Sequence, residues 1–350
     1  MSPRTPPSKP SGVALILAGA VAKGAFEAGV IAELIARDLP IRHLVATSAG
    51  ALNATLLASG LRAREGRLAA AKLDQIWRDE ATWTKGLSPT LRGLVGRRGL
   101  STQRHLLELL HEHVHPTPLG AECASIQLTI VVAAMNGRTV HPDDPVRRMT
   151  TYERWMRFEN EDFDEETRLV RVFDAAVASS SFPGAFVPYD VTWSDLDGPA
   201  IGPCVDGGTV NNTPVRLALH ADPHIDTIVV VSASPRVYVA PRAPLRGLDL
   251  IGHLGEMLIN ERLYRDLKEA RRTNEAIAAI EALPLSPDLL LRTKKAAGLE
   301  HRRIIDLVTV FADEPLAGGA FDGLGQPELR AAYLDIGRRT GARVCDEKGW

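Results

Sequence analysis

The sequence predicts an α/β fold: three layers, with helices on both faces of a mostly parallel central sheet. Two observations carry this prediction. Residues 13–18 are a short, continuously apolar run that reads as a strand buried on both faces, four more largely apolar runs at 41–46, 126–134, 225–232 and 304–311 read as further strands, and helical periodicity fills much of the chain between them. The chain also opens in the order strand, glycine loop, helix, strand, sharp turn, helix, which is how a doubly wound sheet begins.

Each element has its own reason. Residues 1–11 hold four prolines and no apolar periodicity, so they read as a disordered leader, with the fold starting near Gly12. After the first strand, Phe26, Val30 and Leu34 recur every four residues, with Ile31 and Ile35 beside them, which makes residues 25–37 a helix ending before Pro40. The second apolar run leads through Ser48 into a helix over 49–59. Residues 61–120 read as a helical insertion: Ala69, Leu73, Ile76 and Trp77 share one face, and no strand pattern interrupts it. Residues 170–181 end in a Ser-rich, Pro-containing turn. Across about 247–283, Leu254, Leu258, Leu263, Leu267, Ala270 and Ile277 mark an amphipathic covering helix, with room for one break.

Composition narrows the function classes. Lys and Arg number 41 against 43 Asp and Glu, a net charge of -2, which points away from a nucleic-acid partner. At 350 residues with 45% apolar content, the chain suits one large domain or two smaller ones. The three cysteines are far apart and form no C-x-x-C pair, so a reducing, cytoplasmic setting fits. The apolar runs fall short of the ~20 residues a crossing helix needs. Arg4 and Lys9 ahead of the 13–22 run resemble a secretory signal, but the strand-and-loop use of that run is preferred.

Three segments hold the chemistry. Ser48, in Ala46-Thr47-Ser48-Ala49-Gly50, stands between a strand and a helix, where small neighbours such as Ala46 and Gly50 suit a strained turn that exposes a nucleophilic hydroxyl. Gly19-Ala20-Val21-Ala22-Lys23-Gly24 has the G-x-x-x-x-G spacing of a phosphate loop, but Ala25-Phe26 stands where Lys and Ser or Thr are needed. Such a loop can instead offer backbone N–H groups to an oxyanion. In Asp206-Gly207-Gly208, an acid at the end of an apolar run sits on an uncluttered turn.

Together and in this order, the three segments resemble the patatin-like phospholipase family, with its G-G-G-x-R/K-G loop, G-x-S-x-G serine and D-G-G/A acid. The segment Ala178-Ser179-Ser180-Ser181-Phe182-Pro183 adds to the likeness, which spans roughly residues 12–235. The resemblance implies one patatin-like hydrolase domain over 12–350. It also implies a Ser48 and Asp206 dyad working without histidine, and an acyl-enzyme intermediate. Backbone donors at Gly19, Ala20 and Val21 would form the oxyanion hole, supported by Lys23, Gly24, Ala46, Gly50, Gly207 and Gly208. The substrate implied is a lipid or other acyl ester, of phospholipid or lysophospholipid type, with no cofactor and no metal. The loop departs from the family at Ala20 and Val21: if either needs φ above zero, a β-branched Val costs about 1–3 kcal/mol. A weak or inactive lipid-binding protein on the same fold is therefore the alternative.

Other patterns compete. His220, His224, His253 and His301 follow Asp206, so a Ser-Asp-His order is available, although the D-G-G context favours the dyad. His111-Glu112-His113-Val114-His115 matches H-E-x-x-H, but Pro116 disfavours helical geometry there, and a solvated helix end is the preferred reading. Residues 159–166 are acidic but lack the glycine and final glutamate of a calcium loop. Lys85, Arg92, Arg97 and Arg98 among Leu87, Leu91, Leu94 and Val95 form a basic, apolar patch suited to transient contact with a membrane surface, or to packing its leucines inward.

Overall fold

The computed structural model describes residues 9–82, 88–89, 101–117, 120, 123–140, 144, 148–195, 198–219, 224–235, 247–299 and 302–350. Its centre is an eight-stranded sheet. The strands are β1 (Val13–Leu17), β2 (Ile41–Ala46), β3 (Gln127–Val140), β4 (Met149–Phe158), β5 (Tyr189–Asp195), β6 (Gly198–Asp206), β7 (Thr227–Pro235) and β8 (Asp306–Ala312). The order β8-β7-β1-β2-β3 is parallel throughout. These five are the five apolar runs, since strands covered on both faces are mostly apolar; Arg42 and Asp306 are exposed, and the buried His43 and Thr129 hydrogen-bond each other at 2.8 Å.

Three antiparallel strands complete the sheet. On β3, residues 128–130 pair with both β2 and β4, and residues 132 and 133 pair with both β4 and β6. A strand has two edges, so β2 and β6 share one edge of β3 and meet there end to end. Ala46 of β2 stands opposite Ile130, and Asp206 of β6 stands opposite Val132. This head-to-head meeting brings positions 48 and 206 together.

The helices are α1 (Gly24–Ala36), α2 (Ala49–Arg62), α3 (Gly66–Gln75), α4 (Arg104–His113), α5 (Glu166–Ser179), α6 (Gly247–Glu281), α7 (Pro287–Ala296) and α8 (Pro327–Lys348), with one-turn helices over 208–211, 215–219 and 322–325. One face of the sheet packs Leu15, Leu17, Leu44 and Ile130 against α1, α2, α5 and α8. The other packs Ala14, Ile16, Val45 and Val230 against Leu263, Leu267 and Ala270 of α6. Buried side chains of this kind contribute about 1.5–3 kcal/mol each, so the two apolar faces account for the layering.

Several expectations need correction. Residues 61–120 are not purely helical: Ser88–Pro89 pairs with Ser101–Thr102 as a small antiparallel ribbon. The helix over 247–281 is unbroken. At the end of the expected leader Ser11 is held in place, its N and Oγ donating to Asp226 Oδ2 at 2.9 and 2.6 Å, and residues 1–8 lie outside the described residues. The acidic run 159–166 begins as a capped turn, with Glu159 N donating to Asp162 Oδ2 at 2.8 Å, before α5 starts. The 85–98 basic patch lies outside the described residues apart from Ser88 and Pro89. So do His220 and His301.

Candidate active site

Ser48 follows β2 by two residues and precedes α2, at φ 53 and ψ -135. A non-glycine residue in that region costs about 1–3 kcal/mol, so its neighbours must hold it there. Ser48 N donates to Ser179 Oγ at 2.9 Å, and Ser180 Oγ donates to Ser48 O at 2.8 Å. Thr47 Oγ1 donates to Asn212 O at 2.8 Å. Gly50 lets α2 approach β1: a Cβ there would stand 2.5 Å from Leu17 O. Ala46 is fully buried.

Asp206 ends β6. Its Oδ2 accepts a hydrogen bond from Ser48 Oγ at 2.5 Å, and its Oδ1 accepts one from Gly208 N at 2.7 Å. Both side chains are buried, Ser48 at 5% and Asp206 at 2% exposure. Burial, which disfavours the ionised form, pushes the Asp206 carboxyl up to about 7 against the two hydrogen bonds that favour it. A Cβ on Gly207 would collide with Val131 O, and one on Gly208 would crowd Asn212 Oδ1, so this turn requires its two glycines.

The glycine loop is placed by Asn212. Gly19 N donates to Asn212 Oδ1 at 2.8 Å, and Asn212 Nδ2 donates back to Gly19 O at 3.1 Å. A Cβ on Gly19 would collide with Ser48 Cβ. The Gly19 N–H is therefore engaged, which corrects the expectation that it faces an oxyanion. Ala22 N donates to Ala320 O at 3.2 Å and Lys23 N to Ala20 O at 2.9 Å. Among the described residues, Ala20 N and Val21 N meet no acceptor. Val21 has φ +49, while Ala20 lies at φ -152. The strain foreseen for a side chain in this loop thus falls on Val21 alone.

With this geometry in hand, a family model described as "Patatin-like phospholipase" matches residues 15–219. The chain belongs to the patatin-like phospholipase family. Among solved structures it is similar to VipD from Legionella pneumophila, at 15% identity and a TM-score of 0.46, covering 97% of this chain and 67% of that one. It is similar to the type III effector ExoU at 15% identity and a TM-score of 0.35, covering 98% and 54%. The ExoU–SpcU complex of Pseudomonas aeruginosa gives 16% identity and a TM-score of 0.38, covering 97% and 52%. The chain spans about half the length of these ExoU chains. No curated protein matches it.

In this patatin-like chain the remaining candidates separate. Lys23 forms no side-chain hydrogen bond or ion pair among the described residues, so it does not tie the loop. Gly24 leaves room for Trp77, whose ring would stand 2.8 Å from a Cβ there. Trp77 Nε1 donates to Asn53 Oδ1 at 2.8 Å, and Asn53 Nδ2 reaches Gly24 O and Glu27 Oε2 at 3.1 and 3.3 Å. Burial raises Glu27 well above its ordinary value, so a second carboxyl that favours its proton lies beside the loop. Sequence reasoning did not assign roles to Glu27, Asn53, Ser179 or Asn212. The Asn-Asn-Thr-Pro stretch after the D-G-G motif was visible, but its contact with Gly19 crosses 193 residues.

The helix carrying His111 ends at His113, and Val114 is extended, so His111 and His115 are not one helical turn apart. His111 is not simply solvated either: its ring packs edge-on against Phe173 at 4.9 Å. Among the described residues, one group has metal-ligand spacing, Glu80, Glu112 and His113, with ligand atoms within 4.8 Å of one another. It includes neither end of the H-E-x-x-H pair. A cavity of about 400 Å³ is lined by Tyr264, Lys268, Arg271 and Phe311, and one of about 130 Å³ touches His113 and His115. Neither is lined by Ser48 or Asp206.

Proposed function

We propose that the protein hydrolyses carboxylic esters of phospholipids or lysophospholipids through Ser48 and Asp206. The observation that carries this reading is the 2.5 Å hydrogen bond from Ser48 Oγ to Asp206 Oδ2 at a strained strand-to-helix turn. Ser48 Oγ attacks the ester carbonyl as its proton passes to Asp206 Oδ2. The N–H groups of Ala20 and Val21 then receive the oxyanion. Collapse of the tetrahedral intermediate expels the alcohol, which takes the proton from Asp206 and leaves an acyl-Ser48. Water gives a proton to the same carboxylate as it attacks the acyl carbon, and collapse then breaks the bond to Ser48 Oγ, which takes the proton back from Asp206 as the fatty acid leaves. A carboxyl near 7 is a far better base than one at its ordinary 3.8, which is why a dyad without histidine suffices. Among the described residues no helix is long and apolar enough to cross a membrane.

A fluorophosphonate probe tests this reading. Wild-type protein is expected to label, Ser48→Ala not at all, and Asp206→Asn weakly. Because the base works ionised, kcat/KM on a short-chain chromogenic ester should rise with pH and reach half its plateau near pH 7. A flat profile from pH 5 to 9 would remove Asp206 as the base.

One observation favours a second reading, in which the same fold binds acyl lipids with little turnover: a β-branched residue holds a left-handed position where the oxyanion is received. Folded wild-type protein that takes up no probe and cleaves no ester would establish that reading instead.

A further inference from the structure

Arg330, on α8, lies beyond the residues that match the family model, and it is 1% exposed. Buried charges are normally paired. This guanidinium meets no carboxylate within ion-pair distance among the described residues, and its fork goes instead to four backbone carbonyls. Nε donates to Trp77 O at 2.7 Å and Nη2 to Arg78 O at 2.9 Å, in the π-helical turn Ile76–Glu80 that follows α3. Nη1 donates to Gly323 O at 2.6 Å and to Leu324 O at 3.4 Å, in the one-turn helix over 322–325. The last carbonyls of a helix lack partners within it and carry partial negative charge, so two helix ends stand where an acid would otherwise be needed.

Both helix ends lead to the glycine loop. From the first, Trp77 packs its ring on Gly24 and its Nε1 donates to Asn53, whose Nδ2 reaches Gly24 O at 3.1 Å and the buried Glu27 at 3.3 Å. From the second, Ala320 O accepts from Ala22 N at 3.2 Å. Gly323 packs so close to the loop that a Cβ on it would stand 3.0 Å from Ala22 Cβ. Covalent and hydrogen bonds together therefore close a circuit through Gly24, Asn53, Trp77, Arg330, the 320–324 turn and Ala22. Gly19, at the other end of the loop, is fixed by Asn212. Ala20 and Val21 are the residues left between these anchors, and theirs are the N–H groups that meet no acceptor among the described residues.

We propose that Arg330 is a positioning residue for the oxyanion site, holding Ala20 and Val21 in register with Ser48 by tying two helix ends to the glycine loop. The proposal deepens the hydrolase reading and rests on it for the effect on rate. The bracing itself can be read without turnover. Donors stabilise a developing oxyanion only when they are held in place before it forms, so a loop that loses its brace should lose rate and not substrate affinity. Lysine keeps the charge but offers one compact ammonium in place of a fork, and cannot serve both helix ends.

Steady-state kinetics on a soluble short-chain ester, joined to hydrogen exchange read by mass spectrometry on the full chain, test it. Arg330→Lys is expected to lower kcat by about tenfold or more while KM stays within about twofold of wild type. Exchange of the amides over residues 20–24 should quicken by about tenfold or more in the same variant. Gly323→Ala leaves Arg330 in place and presses on Ala22, so it should lower kcat in the same way, and it keeps the test open should Arg330→Lys fail to fold. Variants that unfold more easily but keep the wild-type kcat and the wild-type exchange over 20–24 would give Arg330 a role in stability alone and overturn the proposal. So would a loss confined to KM. If the wild type cleaves no ester yet Arg330→Lys quickens exchange at the loop, the bracing stands and the hydrolase reading falls.

Discussion

Asp206→Asn is expected to lower kcat about a thousandfold and, at pH 8, to make the protein more stable by roughly 2–4 kcal/mol. The first effect follows from removing the carboxylate that, among the described residues, accepts the hydrogen bond of Ser48 Oγ and can take its proton. The second follows from where the carboxyl titrates. In the unfolded chain Asp206 ionises near 3.8, and in the folded protein burial raises this to about 7. Its contribution to stability is therefore fully present below pH 3.8 and is lost as pH rises through about 7. About three pH units of difference correspond to about 4 kcal/mol, felt in full only above pH 7. An asparagine never ionises, and it can keep both bonds, accepting from Gly208 N and donating to Ser48 Oγ. Urea unfolding at pH 5 and pH 8 checks this: the gap between variant and wild type should widen with pH, and a gap equal at both would mean that Asp206 is not held near 7. Glu27, also raised by burial, makes the wild type lose further stability in the same direction.

How much of this was legible in the sequence depended on whether a residue's neighbours were local. The five parallel strands could be read because each is built mostly of apolar residues on both faces, and Ser48 could be read as a turn residue because Ala46, Ala49 and Gly50 surround it within two positions. The antiparallel strands escaped. β4 mixes Thr, Glu and Arg with Trp and Met because one of its faces is open, and β6 contains Pro199 and Pro203. Those strands decide the site, since β6 is what carries Asp206 back to the end of β2. The engagement of Gly19 N–H by Asn212 could not be anticipated either, because a backbone donor leaves no trace in the sequence of what it donates to. The loop substitutions were visible, but which of them bears strain was not: only the backbone angles separate Val21 from Ala20.

That separation yields a prediction with opposite outcomes at adjacent positions. Val21→Gly is expected to stabilise the protein by about 1 kcal/mol, because relieving about 1–3 kcal/mol of left-handed strain outweighs the chain entropy of a new glycine, about 0.5–1 kcal/mol. It should also raise kcat about tenfold. Val21 N, like Ala20 N, meets no acceptor among the described residues, and one oxyanion donor is worth about 3 kcal/mol, so an amide that settles without a β-branched side chain regains part of that. Ala20→Gly relieves no left-handed strain, since φ at Ala20 is -152, and should cost a few tenths of a kcal/mol with no gain in rate. Denaturant unfolding and ester hydrolysis by the two single variants decide the matter. If Ala20→Gly accelerates hydrolysis and Val21→Gly does not, the strain at position 21 is unrelated to turnover, and the limit on the rate lies in how an acyl chain reaches a serine that is 5% exposed.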